Sequence, residues 1–305
     1  MTGASSDNPL DRLADAYASP CGQRSAGLNL RGVWALYALT LRQHLHGKRW
    51  MIMVLLFLLP AALAILVRST ARDAPGIQLE FVFGFMLIPQ AVLPLVAMIY
   101  ASGIIQDEQE EQTITYLLIR PISKGALYIV KLLATVTTTV LLTAVFTPLT
   151  YAAIYVGAGS GVEDIPQRCL NAVMVHSLAV VAYCCIFGLL SLLTKRFLLV
   201  GILYIIAIEG VLANFPFGIR LITVIYYTRL IAYRMMDFVW QRPWGPINMA
   251  ADAWQLDIVK DPHLLEHPAM KTCLIVLFAA SIVCTLLAAI ICSQREFHVK
   301  TPEKA

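Results

Sequence analysis

Four acids in five positions, Asp107, Glu108, Glu110 and Glu111, are followed within fifteen residues by two bases, Arg120 and Lys124. Acid at the start and base at the end is the arrangement that complements a helix dipole. Ile114, Leu117 and Leu118 between them form a short apolar face. Pro121 stops the helix, and Ser123 is placed to cap the next one. This gives a short amphipathic surface helix joined by a tight turn to a long spanning helix, more specified than a passive loop needs, and no reaction chemistry accompanies it. The chain has no G-x-x-x-x-G-K-[ST] phosphate loop, no H-E-x-x-H pair and no Ser/Lys dyad. Its seven cysteines show no C-x-x-C or Cys/His ligand spacing, so they read as small buried hydrophobes. His44 and His46 are two residues apart, which points them to different sides of a helix and argues against a metal pair. No catalytic, metal or cofactor site is expected on this chain.

Two further sets of polar residues lie inside apolar runs. Thr135, Thr139, Thr143, Thr147, Tyr151 and Tyr155 recur at a spacing of four, making one ridge on a helix that winds by about 40° per step. Threonine in a bilayer bonds back to its own helix and favours close contact, so the ridge reads as packing. The same hydroxyls could instead line a translocation seam, to which Thr139, Thr143, Thr147 and Glu209 would belong. Glu209 is a costly intramembrane acid. It lies near the end of its run, where an arginine of the following loop could pair with it or transport could use it. Asn171 and His176 read as interface residues.

The elements that hold these residues must be membrane helices. Apolar residues make up 59% of the chain and charged ones 14%, with a mean hydropathy of +0.72. A soluble domain has about 45–50% apolar and about 25% charged residues. A net charge of +4, without basic clusters interleaved with aromatics, excludes nucleic acid as a partner. Six apolar runs have the length that crosses a bilayer core. They are Trp50–Val67, Phe81–Ile105 (with Pro89 and Pro94 as kinks), Ala126–Val156 (with a bend at Pro148), Leu170–Leu193, Phe197–Ala213 and Thr272–Cys292. The expected fold is therefore an all-α polytopic membrane protein with six transmembrane helices.

Outside the spans, residues 1–27 read as a disordered cytoplasmic tail and residues 296–305 as a cytoplasmic C-terminal tail. Residues 28–47 form an amphipathic helix on the membrane surface, with Leu30, Trp34, Tyr37, Leu41 and Leu45 at helical spacing. Basic residues flank the spans on one side: Arg42, Lys48 and Arg49, then Arg120 and Lys124, Lys195 and Arg196, Arg295 and Lys300. By the positive-inside rule that side, and both termini, are cytoplasmic.

Residues 216–240 are the ambiguous segment. Arg229 at the centre of a seventh span would cost about 2.5–3.5 kcal/mol, and the apolar residues around it return about 0.3–0.6 each, which leaves no net gain. Residues 214–271 therefore read as a large external loop whose first part lies in the interface, its arginines and aromatics at headgroup level.

Residues 107–131 resemble the permease subunits of type-2 ABC transporters in the branch without a fused ATPase. The resemblance rests on the acidic stretch, then Thr113, Tyr116, Leu117, Leu118, Arg120, Pro121, Ile122, Ser123, Lys124 and Lys131. Gln112 departs from the glycine common there. The surface helix, the six spans and the long loop before the last extend the likeness over residues 28–295. It implies that residues 107–120 are a coupling helix, with Glu108, Glu111, Thr113, Leu117, Leu118, Arg120, Pro121 and Lys124 meeting a separate ATPase subunit. It further implies ATP and Mg on that partner, a homodimer or a pair with a related permease, a bacterial plasma (inner) membrane, and export rather than import. A different reading is a non-transporting coupler that assists assembly of an extracytoplasmic metalloenzyme or envelope complex.

Overall fold

The computed structural model describes residues 30–46, 48–71, 74–104, 123–156, 164–194, 196–215, 218–254 and 267–294. Among these residues six helices are long and apolar enough to cross a membrane. They are α2 (Arg49–Thr70 of the helix Lys48–Thr70), α3 (Gly76–Ser102), α4 (Lys124–Tyr155), α5 (Ile165–Leu193), α6 (Phe197–Asn214) and α9 (Met270–Gln294). Helix α1 (Leu30–His46) precedes them. A 3-10 turn (Gly218–Ile222), helix α7 (Val224–Met235), strands β1 (Val239–Arg242) and β2 (Gly245–Asn248) and helix α8 (Met249–Trp254) separate α6 from α9.

Helix α5 is the hub, packed against α3, α4, α7 and α9. Its buried face carries Ala172, Ala179, Ala182, Cys184, Cys185 and Gly188, residues small enough for backbones to approach closely. At Gly188 the approach is tight. A Cβ there would stand 2.5 Å from Tyr128 Oη and 3.2 Å from Leu132 Cδ1 of α4. The outward faces of α2, α6 and α9 expose residues such as Leu55, Leu199 and Ile275. A surface that apolar belongs against lipid or a second membrane protein.

The helices alternate in direction, so the bundle has two ends. Contacts from Lys131 to Ile104 and from Cys292 to Lys124 mark the end bearing the 105–122 connection. The bond from Arg68 Nε to the Ile154 carbonyl, 2.7 Å, marks the opposite end, where α2 and α4 finish. Ser123 caps α4, its hydroxyl accepting from Ala126 N–H at 3.3 Å, as its place after Pro121 predicts. Helix α1 packs along the first part of α4 through Leu36, which meets Leu127 and Val130. Leu30 and Trp34 stay exposed, the disposition of a helix whose apolar residues meet a membrane surface. Pro148 lies inside the unbroken α4, whereas Pro89 falls in a π-helical stretch of α3, Glu80–Val92.

Two features differ from expectation. Helix α7 does not lie on the surface of the bundle: it is buried from Val224 to Ala232, Arg229 included, against α5, α9 and the π stretch of α3, and of its two arginines only Arg234 is exposed. Twelve residues span about 18 Å, well short of a hydrocarbon core of about 30 Å. The two ends of α7 meet α5 at different depths: the C-terminal end bonds Arg168 and Asn171 in the first turns of α5, and the N-terminal end bonds Glu209, which also holds Tyr183 twelve residues further along. The second feature is an antiparallel hairpin among described residues that are otherwise helical or irregular, with Arg242 opposite Gly245 and a Pro243–Trp244 turn. Gly245 takes φ +123°, a conformation that a side chain resists.

Candidate functional site

The polar chemistry within the bundle gathers around two buried carboxylates, each in a π-helical segment. Glu80 opens the π stretch of α3, and Glu209 sits in Ile205–Val211 of α6. π-helical segments recur at functional sites, where the extra residue per turn reorients a side chain.

Glu80 is completely buried. Tyr151 donates to its Oε1 at 2.8 Å and Tyr155 donates to its Oε2. Arg168 Nε lies 3.2 Å and 3.0 Å from the two oxygens. Arg168 also donates from Nη1 to the carbonyl of Asp237 at 3.1 Å and stacks over Phe238, 5.7 Å from the ring centroid. One carboxylate thus joins α3, α4 and α5 and, through Arg168, the chain leaving α7. A buried ion pair stands only when its remaining lone pairs are satisfied. The two tyrosine hydroxyls do this.

Glu209 is also completely buried, and it organises the other end of α7. Its Oε1 accepts from Val224 N–H at 3.1 Å and Tyr204 Oη at 3.2 Å. Its Oε2 accepts from Ile225 N–H at 3.0 Å and Tyr183 Oη at 3.1 Å. The carboxylate therefore caps a helix N-terminus, where free N–H groups and the dipole both favour an anion. Arg229 of α7 makes its hydrogen bonds to other residues. It donates from Nη1 to Asn214 Oδ1 at 2.9 Å and from Nη2 to Gln90 Oε1 at 3.4 Å.

The threonine row is buried within the chain. Thr143 donates to the Thr139 carbonyl at 2.8 Å, and Thr139 to the Thr135 carbonyl at 3.0 Å. Thr139 also meets Cys184 Sγ at 3.5 Å, and Thr147 meets His176 Nδ1 at 3.3 Å, both on α5. Thr135 contacts His44 Nε2 of α1 at 3.2 Å. Tyr151 and Tyr155 complete the row at Glu80. Asn171 donates to the Met235 carbonyl at 3.3 Å.

Of the residues expected to meet an ATPase, Lys124 opens α4. Glu108, Glu111, Thr113, Leu117, Leu118, Arg120 and Pro121 lie outside the described residues. Sequence reasoning missed Glu80 and Arg168. The signal was available: an acid at the mouth of one span, an arginine at the mouth of another and two tyrosines four apart. Nothing in the sequence joined them.

A bundle of six long apolar helices holding buried, hydrogen-bonded charges is a multi-pass membrane protein. The profile of a family described as ABC-2 family transporter protein matches residues 44–213, more than half of the chain, and the chain belongs to that family. This is the permease membrane domain, which lacks the ATPase, so membership implies an ATPase partner. No curated protein matches the chain.

Proposed function

We propose that the chain is the membrane-spanning subunit of an ATP-driven exporter. It acts as a dimer, with itself or a related permease, on two separate ATPase chains that hold ATP and Mg. Both termini and residues 107–120 face the cytoplasm, and residues 107–120 form the coupling helix. The observation that carries this reading is the motif of residues 107–131, placed between the second and third spans of a chain in this family. The basic flanks support the orientation.

In this reading Glu80, through Arg168, holds the C-terminal end of α7 where α5 begins, and Glu209 holds its N-terminal end deeper along α5. The bonds of Thr139 and Thr143 to their own helix support a packing role for the row over a translocation seam.

The test replaces Leu117 and Leu118 by Ala together in the full chain and measures capture of the purified cognate ATPase. Truncating apolar anchors at an interface commonly costs more than about 1 kcal/mol each. Capture should fall tenfold or more while membrane insertion is unchanged. Capture equal to the unmodified chain refutes the coupling assignment.

A further inference from the structure

The final turn of α3 runs on through Gly103 to Ile104, whose N–H donates to the Ala101 carbonyl at 3.3 Å. The Ile104 carbonyl is the last acceptor described before the 105–122 connection. Lys131, two turns into α4, sends its Nζ to that carbonyl at 3.2 Å. Lys131 is 4% exposed and Ile104 2%. Tyr100, Tyr128 and Thr135 around them are completely buried. His44 of α1 packs edge-on to Tyr100, 5.0 Å between ring centroids.

Burying an ammonium is costly unless it is hydrogen-bonded. A methionine of similar length would fill the same volume without that cost. The Ile104 carbonyl is an acceptor for that charge. Carbonyls at a helix C-terminus lack intrahelical partners and sit at the negative end of the dipole, where a cation is favoured. Ile104 is also the last residue described before 105–122, and Ser123, whose side chain caps α4, is the first described after it. The first turns of α4 thus contact the residues that flank 105–122 on both sides.

We propose that Lys131 is a positioning residue for coupling: its ammonium fixes the path along which the chain leaves α3, and so the placement of the segment that meets the ATPase. This rests on the coupling reading of residues 107–120.

The test compares Lys131→Met and Lys131→Arg in the full chain, with Leu117→Ala/Leu118→Ala alongside. Three quantities are read: affinity for the purified cognate ATPase, the melting temperature of the permease, and the distance distribution between spin labels at positions 117 and 193 in a cysteine-free background. Lys131→Met should lose tenfold or more in affinity and change the distance distribution. Lys131→Arg, which keeps the charge, should recover to within about threefold of the unmodified chain.

Unchanged affinity and distances in Lys131→Met, with Leu117→Ala/Leu118→Ala impaired, overturn the positioning role and leave the coupling reading standing. An unimpaired Leu117→Ala/Leu118→Ala overturns both. Failure of Lys131→Arg to recover, or an equal loss of affinity in Glu209→Gln at the same fall in melting temperature, makes Lys131 a structural residue and overturns the proposal.

Discussion

Replacing Glu209 by Gln keeps the shape of the side chain and removes one of its two acceptor oxygens. The geometry makes the loss independent of how the amide is turned. Each carboxylate oxygen accepts one backbone N–H, Val224 on one side and Ile225 on the other, together with one tyrosine hydroxyl. Whichever oxygen becomes NH2 therefore faces a buried backbone donor that cannot rotate away, and a tyrosine hydroxyl that can. A buried donor left without a partner costs about 1–3 kcal/mol. Losing the anion from the N-terminus of α7 adds up to about 2 kcal/mol. The expected destabilisation is therefore about 1–5 kcal/mol. At about 2 °C per kcal/mol for a chain of this size, the melting temperature should fall by about 2–10 °C. Differential scanning fluorimetry of the purified permease in detergent reads this directly. A second readout locates the effect. Ile225 is completely buried, so a cysteine placed there in a cysteine-free background should be unreactive to a membrane-impermeant maleimide. Adding Glu209→Gln should make it reactive as α7 loosens. An unchanged melting temperature together with an unreactive position 225 would refute the view that Glu209 holds α7 in place.

Three further outcomes are expected. Thr139→Val and Thr143→Val together should leave assembly and activity near normal, because their hydroxyls bond within α4 and interhelical bonds in membranes average only about 0.6 kcal/mol. Thr143→Trp should impair folding or dimer assembly, since the site is fully buried; normal assembly with transport lost would favour a seam. Single cysteines near Gly159 and Pro262 should react with an impermeant reagent applied from outside, and those near Lys195 and Lys300 should not. Reaction at Lys300 would reverse the cytoplasmic assignment of the C-terminus.

The positions of the six spans were legible from the sequence, because a span is specified by local composition alone. Any run of about 20 apolar residues partitions into lipid whatever its neighbours are. The cap at Ser123 was legible for the same reason, since it depends on residues three apart in the chain. The path of residues 216–240 was not. Weighing Arg229 alone against lipid sends it to the headgroups. The fold instead supplies Asn214 and Gln90, from 15 and 139 residues away, as its acceptors. Glu80 and Arg168, 88 residues apart, found each other in the same way. Local hydrophobicity determined which segments enter the membrane. The partner of each buried charge was decided only by which helices pack together, because in a low-dielectric interior a charge is stable only where the tertiary structure brings its hydrogen-bonding partners to it.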